Sequence, residues 1–369
     1  MRVGIVSINP AVARNATELD FKALYQAVGM NTGNLMFTTA MYRQLDAEVK
    51  QIGFSFDPAV VNENFDAVVI PAANWLNQKD DWDWLTALIE QLEIPVVTIG
   101  IGLQANTTDL NDIRINASCQ RLIRVLSTKA PFISTRGFLT TRYLQSIGVM
   151  NVVTTGCPSI YMPLTADDAV EATGSPTVIQ STRYYYSSEA AQDGGLNNAL
   201  FAASGRNGYD MVYQSEPEEM EYLLKPSSDN ALETPRLASL ARLYGLANTE
   251  ELKSYLDRRG KVFLDLDQWS AYLQTKERVL GTRLHGAIIA LNSGTPAILL
   301  AHDSRTTEMI DFAGIPTVAP EIFGGDFSPD KINAAFAGVD MESYRARRES
   351  NRKIYKQFLL ANGLAGLAS

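Results

Sequence analysis

The stretch GTRLHGAIIALNSGTPAILLAHDSRTTEM, residues 281–309, decides the fold class. From Leu284 to the second histidine the only titratable side chain is His285, so the span is long enough to suggest a membrane helix. The polar, helix-breaking sequence NSGTP at 292–296 excludes such a helix, because it would leave polar groups in lipid. The stretch therefore predicts a helix, a turn and a buried strand, PAILLA (296–301).

Two turns with charged side chains flank this apolar span. The predicted strand VLGT (279–282) leads into the first turn, which carries Arg283 and His285. The strand PAILLA leads into the second turn, which carries His302, Asp303, Arg305 and Glu308. Because parallel strands joined by a helix end at the same edge of a sheet, the two turns are predicted to lie side by side at the mouth of a cleft.

The residue types in these turns indicate an anion-binding site. Backbone N–H groups at the start of the helix after Arg283 favour a negative charge, and the guanidinium fork binds phosphate or carboxylate through two hydrogen bonds. His285 adds a group whose ordinary pKa lies near neutrality, which suits a general acid. The alternative is a surface ion pair for Arg283 and a packing role for His285, and the second charged turn beside them weakens that alternative.

The first half of the chain has the pattern of a parallel α/β sheet. Apolar, β-branched runs predict strands at 2–8, 66–72, 95–102, 131–135 and 151–156. Helical spacing predicts helices at 34–45, 81–92, 115–127 and 138–148. Strands that alternate with helices form βαβ units, so helices are expected on both faces of this sheet.

A second α/β series follows a small, polar linker. Strands are predicted at 177–182, 209–214, 261–266, 279–282 and 296–301, a loop at 187–208, charged helical sequence at 216–258, and helices through 269–274, from about Leu284 and from near Thr307. At 369 residues the chain exceeds the size at which one core usually stops growing. We predict an N-terminal α/β domain (1–163), a linker (164–176), a C-terminal α/β domain (177–327) and a helical tail (328–369). These are two Rossmann-like domains that face a cleft.

Further candidates for the cleft follow other predicted strands or precede a helix. They are Gly33 and Asn34 in NTGNLM, Asn74 in PAAN, Gln104 in GIGLQ, Arg136 in STRGF and Arg183 in STRYYY. A glycine such as Gly33 allows the backbone to approach a ligand closely. For each arginine taken alone, a position on the surface is the usual one.

Composition and missing motifs exclude several classes of function. A net charge of −9 gives no general attraction to nucleic acid or anionic membranes, so no nucleic-acid partner is expected. Cys119 and Cys157, the only cysteines, have no metal-ligand spacing, so we expect no metal, no disulfide framework and a reducing cytoplasm. MRVGIVSINP at the start predicts a strand rather than a signal peptide, and no integral membrane segment is expected. GxGxxG after the first strand, the P-loop motif, GxSxG and HExxH are all missing.

The same residues resemble the polysaccharide pyruvyl transferase family. RLHG, GTP, HDSRT and a following glutamate match its C-terminal signature, with DLDQWSAYL before them and AGIP after them. NTGNLMFTTAMYRQL, PAAN, GIGLQ, ISTRGFLTTRYLQSIG and TTGCPS match its N-terminal pattern in order. The resemblance covers about residues 30–316, apart from 187–258.

This resemblance implies a GT-B-like fold and a transferase that uses phosphoenolpyruvate as co-substrate, with no other cofactor. The acceptor would be a saccharide, free or lipid-linked, that receives pyruvate as a cyclic ketal in surface or exopolysaccharide biosynthesis. The N-terminal domain would bind the acceptor and the C-terminal domain the donor. The enzyme would work in the cytoplasm, either free or at the inner face of the membrane.

The resemblance also assigns roles to residues. Arg283 and His285 match the family's donor-binding arginine and histidine. The other roles come from predicted positions at the cleft rather than from the resemblance. One or more of Arg136, Arg183 and Arg305 would hold the remaining anionic group. Asp303, Glu308 or His302 would deprotonate the acceptor hydroxyl or orient His285.

Two other functions fit the same sequence. A GT-B glycosyltransferase or a related sugar-nucleotide enzyme would share the fold and the phosphate-binding turn, and Glu308 would then bind a ribose. A non-catalytic protein that binds saccharide or phosphate is the third, although two histidines in adjacent turns count against it because binding alone needs no titrating group. Trp75, Trp82 and Trp84 form either a sugar-stacking surface or part of the core.

Overall fold

The computed structural model of the 369-residue chain describes residues 1–105, 107–164, 173–183, 195–225 and 236–366. Residues 165–172 of the predicted linker, 187–194 of the predicted loop and 226–235 of the charged helical region lie outside the described residues. The described ranges fold into helices packed on parallel strands, which confirms the α/β class.

The first sheet comes from the N-terminal half of the chain. Its four parallel strands are, in spatial order, β2 (Glu48–Gln51), β1 (Arg2–Ile5), β3 (Ala67–Pro71) and β4 (Val96–Ile99). Two short strands, β5 (Ile133–Thr135) and β6 (Val152–Thr154), extend it through a bridge between Ile101 and Thr135. The sequence does not predict β2, because EVKQ is polar and this edge strand is largely exposed.

Helices cover both faces of the first sheet. They are α1 (Phe21–Ala27), α2 (Asn34–Gln44), α3 (Pro58–Asn64), α4 (Asp83–Glu90), α5 (Ala117–Lys129) and α6 (Phe138–Ser146). The four predicted helices correspond to α2, α4, α5 and α6. The sequence analysis misses α1 and α3, because seven residues are too few to show helical periodicity, although Asp20 and Asp57 cap their first turns.

The second sheet comes from the other half of the chain and is also parallel. Its spatial order is β11 (Ala297–Leu299), β10 (Arg278–Gly281), β7 (Thr177–Gln180), β8 (Asp210–Tyr213) and β9 (Gly260–Val262). The strand predicted at 261–266 is wrong beyond Val262. Asp265 accepts hydrogen bonds from the backbone N–H groups of Asp267 and Gln268, at 2.9 and 3.0 Å, and so starts a helix there.

The helices around this sheet are α7 (Leu196–Asn207), α8 (Pro217–Leu224), α9 (Arg236–Leu243), α10 (Thr249–Arg259), α11 (Leu266–Gln274), α12 (Leu284–Asn292) and α13 (Ser304–Ala313). The loop predicted at 187–208 is therefore wrong over α7. Leu196, Leu200 and Phe201 are buried on one side of this helix, but the Asn, Ser and Gly residues between them obscure the helical pattern in the sequence.

The tail is helical, as predicted, and it returns to the first half of the chain. It consists of α14 (Pro329–Phe336) and α15 (Met341–Ala361). Tyr355 on α15 donates its hydroxyl proton to Oε1 of Gln44, at 3.0 Å, and Arg348 donates to the carbonyl of Ile160, at 2.6 Å. The last helix therefore packs against the unit that contains the first sheet.

Candidate functional site

A cavity of about 300 Å³ lies where the carboxyl ends of the two sheets meet. Its lining from the first half includes Asn31, Asn34, Phe37, Ala73, Asn74 and Arg136. Its lining from the second half includes Thr182, Gln214, Thr282, Arg283, Leu284, His285, His302, Arg305 and Thr306. Two parallel α/β units thus face each other across a cleft, which is the GT-B-like arrangement that the sequence predicts.

The turn after β10 brings Arg283 and His285 to the cavity. Gly281 ends the strand, and a Cβ atom there would collide with the backbone carbonyl of Gln180 on the neighbouring strand. Only glycine fits this position, and the chain turns directly into α12, whose N-cap residue is Arg283. The local sequence therefore fixes the arginine and the histidine at the carboxyl edge of the sheet, as predicted.

Arg283 is held by an ion pair that the sequence analysis does not predict. Its Nη2 lies 2.5 Å from Oε1 of Glu216 and also donates to the Ser215 hydroxyl. Burial raises the pKa of Glu216, but the charge of Arg283 and the backbone N–H of Ser215 outweigh it and hold that pKa below its ordinary value. Glu216 is therefore ionised at neutral pH and offsets part of the positive charge of Arg283.

Arg136 has unused capacity for hydrogen bonds. It is 3% exposed, and it donates from Nη1 to Oδ1 of Asn74 at 2.8 Å and from Nε to the Gly100 carbonyl at 3.1 Å. Its Nη2 is buried and has no hydrogen-bond partner among the described residues. Burying an unpaired guanidinium nitrogen costs folding free energy unless an acceptor binds it. Arg136 therefore supplies a strong hydrogen-bond donor for an anion at the cavity that it lines.

His285 is neutral in the unliganded site. Burial lowers its pKa most, and the positive charges of Arg136 and Arg283 lower it further, to about 3. The ring packs against Phe37, with 5.5 Å between the ring centroids. The pKa of His285 thus lies well below the ordinary value of histidine, because the site around the ring is desolvated and cationic.

In the second turn, Asp303 has a structural role. It is the N-cap of α13, accepts from the backbone N–H of Thr306 at 2.9 Å, and accepts from Nε of Arg305 at 2.6 Å. Burial raises the pKa of Asp303, but the charges of Arg305 and His302 outweigh that effect and lower it. Arg305 and His302 line the cavity, whereas Asp303 does not and positions Arg305 beside it.

Glu308 lies away from the cavity, in a contact between the two halves. Its carboxylate accepts from the backbone N–H of Thr140 at 3.1 Å and from the Thr140 hydroxyl at 2.9 Å, and so caps α6 of the first half. Burial raises the pKa of Glu308 to about 7, although the hydrogen bonds from Thr140 oppose this. Glu308, a candidate base or ribose ligand in the sequence analysis, thus forms a contact between α13 and α6.

Arg183 and Gln104 are also not brought to the cavity. Arg183 is buried and donates from Nε to both carboxylate oxygens of Glu219, at 3.0 and 3.1 Å, and it also pairs with Glu218. These ion pairs hold its guanidinium on α8. Gln104 is exposed, and its backbone N–H donates to the Leu76 carbonyl at 2.9 Å.

Gly33, Asn34 and Asn74 lie at the cavity or next to it. A Cβ atom on Gly33 would lie 2.8 Å from Oε1 of Gln214 and 3.2 Å from Nδ1 of His285, so the glycine allows the two halves to approach closely. Asn34 and Asn74 both line the cavity. Asn74 also holds Arg136 in place.

Sequence reasoning missed Asn31, Phe37 and Gln214, which line the cavity. Gln214 directly follows β8, so the rule that selected Arg283 could have found it. Asn31 accepts a hydrogen bond from the Gly33 N–H at 2.9 Å, a pairing that sequence alone does not indicate.

The three tryptophans near PAAN do not line the cavity. Trp75 is buried and stacks on Trp82, with ring centroids 4.4 Å apart, whereas Trp84 is 48% exposed. The first two therefore serve packing.

No group of three or more His, Cys, Asp or Glu side chains in the described ranges is arranged to hold a metal ion. No helix in those ranges has both the length and the apolar character needed to cross a bilayer.

Comparison with known proteins gives a family for this chain. A family model described as polysaccharide pyruvyl transferase matches residues 13–304. A search of curated proteins finds no match.

Several solved structures are similar at low identity. Staphylococcus aureus MnaA with UDP is 12% identical over 97% of this chain and 95% of that chain, with a TM-score of 0.48. A putative UDP-N-acetylglucosamine 2-epimerase of Listeria monocytogenes is 12% identical over 97% of this chain and 96% of that chain, with a TM-score of 0.46. UDP-GlcNAc 2-epimerase of Neisseria meningitidis bound to UDP-GlcNAc is 13% identical over 98% of this chain and 100% of that chain, with a TM-score of 0.47. Similarity this weak carries no conclusion about the fold or ligand of this chain.

Proposed function

We propose, because the chain belongs to the polysaccharide pyruvyl transferase family, that it transfers pyruvate from phosphoenolpyruvate to a saccharide as a cyclic ketal. The acceptor is a component of a surface or exopolysaccharide, free or lipid-linked. The donor serves as co-substrate, and the reaction uses no further cofactor.

The observation that carries this proposal is the unpaired guanidinium nitrogen of Arg136. Phosphoenolpyruvate brings a phosphate and a carboxylate, and the cavity offers Arg136 from one half and Arg283 and Arg305 from the other. Glu216 and Asp303 already offset Arg283 and Arg305, so Arg136 is the cation with the most to gain from an anion. Fixed donors in a site with little water bind such charge strongly.

The reaction proceeds in four steps. A proton adds to the methylene carbon of phosphoenolpyruvate, which makes the adjacent carbon electrophilic. One sugar hydroxyl attacks that carbon and loses its proton. The carbon–oxygen bond to phosphate then breaks, and a second hydroxyl closes the ketal and loses its proton.

His285 is our candidate for the acid. In the free protein its pKa is about 3, and a donor whose phosphate and carboxylate lie beside Arg136 and Arg283 would raise that pKa by neutralising their charges. Among the described residues that line the cavity, His302 is the other titratable group apart from the arginines, and we assign to it the deprotonation of the acceptor hydroxyl. A folded His285→Ala variant with full turnover would remove the first assignment and leave the pyruvyl transfer intact.

The test is incubation with phosphoenolpyruvate and a panel of oligosaccharides and lipid-linked sugars. We expect acceptor-dependent phosphate release and a product heavier by pyruvate less water. Transfer of a sugar from a nucleotide donor would instead identify a glycosyltransferase, and binding without turnover would identify a binding protein.

Arg136→Gln tests the observation behind the proposal. The KM for phosphoenolpyruvate should rise about 10- to 100-fold, because a charge-assisted hydrogen bond is lost. Arg121→Gln is the control, since Arg121 lies in the same half, is 45% exposed and pairs with Asp83 and Glu90. An unchanged KM in Arg136→Gln would contradict the donor site.

We further propose that the enzyme works in the cytoplasm, at the inner face of the membrane when its acceptor is lipid-linked. The exposed side of α15 carries Arg345, Lys353 and Lys356, for which the described part of the chain shows no acidic partner, and Glu349 on the same side pairs with Arg352. On a chain of net charge −9, such a cluster is the surface that suits an anionic bilayer.

Sedimentation with vesicles that contain anionic lipid tests this surface. Changing Arg345, Lys353 and Lys356 to Gln should abolish binding to the vesicles. The control changes Lys22, Lys79 and Lys253, which are also exposed, to Gln and alters the net charge equally. Equal binding by the two triple variants would overturn the proposal.

A further inference from the structure

Cys157 touches the candidate catalytic histidine from the other half of the molecule. It lies between β6 and a short 3-10 helix (Pro158–Tyr161) and is completely buried. Its Sγ is 3.6 Å from Nε2 of His285, and the Ser159 hydroxyl donates to the same sulfur at 3.0 Å. The thiol is free.

The two ring nitrogens of His285 have different surroundings. Nε2 faces the buried Cys157, which does not line the cavity. Nδ1 faces Gly33, where a Cβ atom would lie 3.2 Å away, and the neighbours of that glycine, Asn31 and Asn34, line the cavity. Arg136, whose buried Nη2 has no hydrogen-bond partner among the described residues, also lines the cavity, which is an independent sign that an anion binds there.

A neutral imidazole carries one N–H, and the hydrogen bond at one nitrogen decides which nitrogen bears it. His285 is neutral in the free protein because burial and the two nearby arginines lower its pKa. The Ser159 hydroxyl already donates to Sγ, so the sulfur accepts there, and the thiol proton is available for Nε2.

We propose that Cys157 is a positioning residue for His285: its thiol donates to Nε2 and thereby fixes the tautomer that presents Nδ1–H to the cavity. This inference rests on the proposed function. In that tautomer the ring offers a hydrogen-bond donor to an oxygen of the anionic co-substrate. The opposite tautomer would offer a lone pair, which repels the same oxygen.

Cys157 also accommodates a protonated ring. If His285 gains a proton at Nε2 when the donor binds, the thiol can rotate and the sulfur can accept the new N–H, because a thiol is both a weak donor and a weak acceptor. The nitrogen that faces the substrate carries a proton in either state.

The tautomer can be measured directly, because the chain has only two histidines. We would label histidine with ¹⁵N, record the ring nitrogen shifts of the full-length protein, and assign His285 with a His302→Gln variant. We expect a protonated Nδ1 and an unprotonated Nε2. A protonated Nε2 in the wild-type protein would overturn the proposal.

Three cysteine variants separate positioning from packing. Cys157→Ala should give a mixture of His285 tautomers, whereas Cys157→Ser, which keeps an O–H donor, should retain the wild-type tautomer. Cys119→Ala is the matched control, since Cys119 is equally buried but its Sγ lies 3.1 Å from the Trp75 carbonyl. An unchanged tautomer in Cys157→Ala would also overturn the proposal.

Turnover supplies the second readout. With phosphoenolpyruvate and an active acceptor, Cys157→Ala should lower kcat/KM for phosphoenolpyruvate about tenfold, the factor that corresponds to one ordinary hydrogen bond. Cys157→Ser should restore kcat/KM. If the wild-type protein transferred no pyruvate, the proposed function would fail while the ¹⁵N result still decided the tautomer.

Discussion

Replacing Glu308 by glutamine should stabilise the protein at alkaline pH and have much less effect in acid. The Glu308 carboxyl is 5% exposed and accepts hydrogen bonds from Thr140 of the other half. Glutamine keeps this shape, since its oxygen can accept from the Thr140 N–H and its amide can donate to the hydroxyl. The substitution therefore removes the charge with little change in packing.

The magnitude follows from the pKa of Glu308, which burial raises from 4.5 to about 7. At 1.36 kcal/mol per unit, ionisation of the buried carboxyl costs about 3 kcal/mol of folding free energy. Because the folded-state pKa is the higher one, the wild-type protein has its full stability below pH 4.5 and loses this amount as the pH rises through 7.

Urea unfolding at several pH values measures the effect. The stability advantage of Glu308→Gln should grow by about 2 kcal/mol between about pH 5.5 and 8.5 and then remain constant. Glu63→Gln, which removes an exposed carboxylate, is the control. A difference between wild type and Glu308→Gln that does not vary with pH would refute the assignment of a raised pKa to this carboxyl.

Three further predictions follow from the placement of other candidates. Gly33→Ala should lower kcat/KM about tenfold because the new Cβ crowds Oε1 of Gln214 and Nδ1 of His285, while the free energy of unfolding in urea should change by only about 1 kcal/mol. Arg183→Gln should destabilise the protein by about 3 kcal/mol, since it leaves the buried Glu219 without its partner, and the KM for phosphoenolpyruvate of the folded fraction should not change. Gln104→Ala should leave steady-state kinetics unchanged, and a large rise in KM would place this exposed side chain at the acceptor.

Most of the sheet architecture and the turn that holds Arg283 and His285 could be predicted from the sequence. Buried parallel strands are continuous apolar runs, and a glycine and charged residues at their ends are visible in one sequence. The polar edge strand β2 and the helix α7 were not predicted, because exposure in β2 and small polar residues in α7 obscure the apolar pattern.

The environments of the candidate side chains could not be predicted. Glu308 and Arg183 each follow a strand, as expected. Glu308 nevertheless accepts a hydrogen bond from Thr140, which is distant in the chain, and Arg183 donates to Glu219 on α8. The pKa of His285 depends on burial and on Arg136, which is 149 positions earlier, so its neutral state emerges only from the folded structure. Side-chain pairing over long sequence separations leaves no periodic signal.

The return of α15 has a consequence for how the protein can be divided. The unit around the first sheet consists of an early segment and the last helix, with Leu45 bridged to Gly366. During synthesis the surface around Gln44 and Ile160 thus stays uncovered until α15 has left the ribosome. A cut between the two sheets would not yield two complete halves, because the N-terminal fragment would lack the segment that covers it.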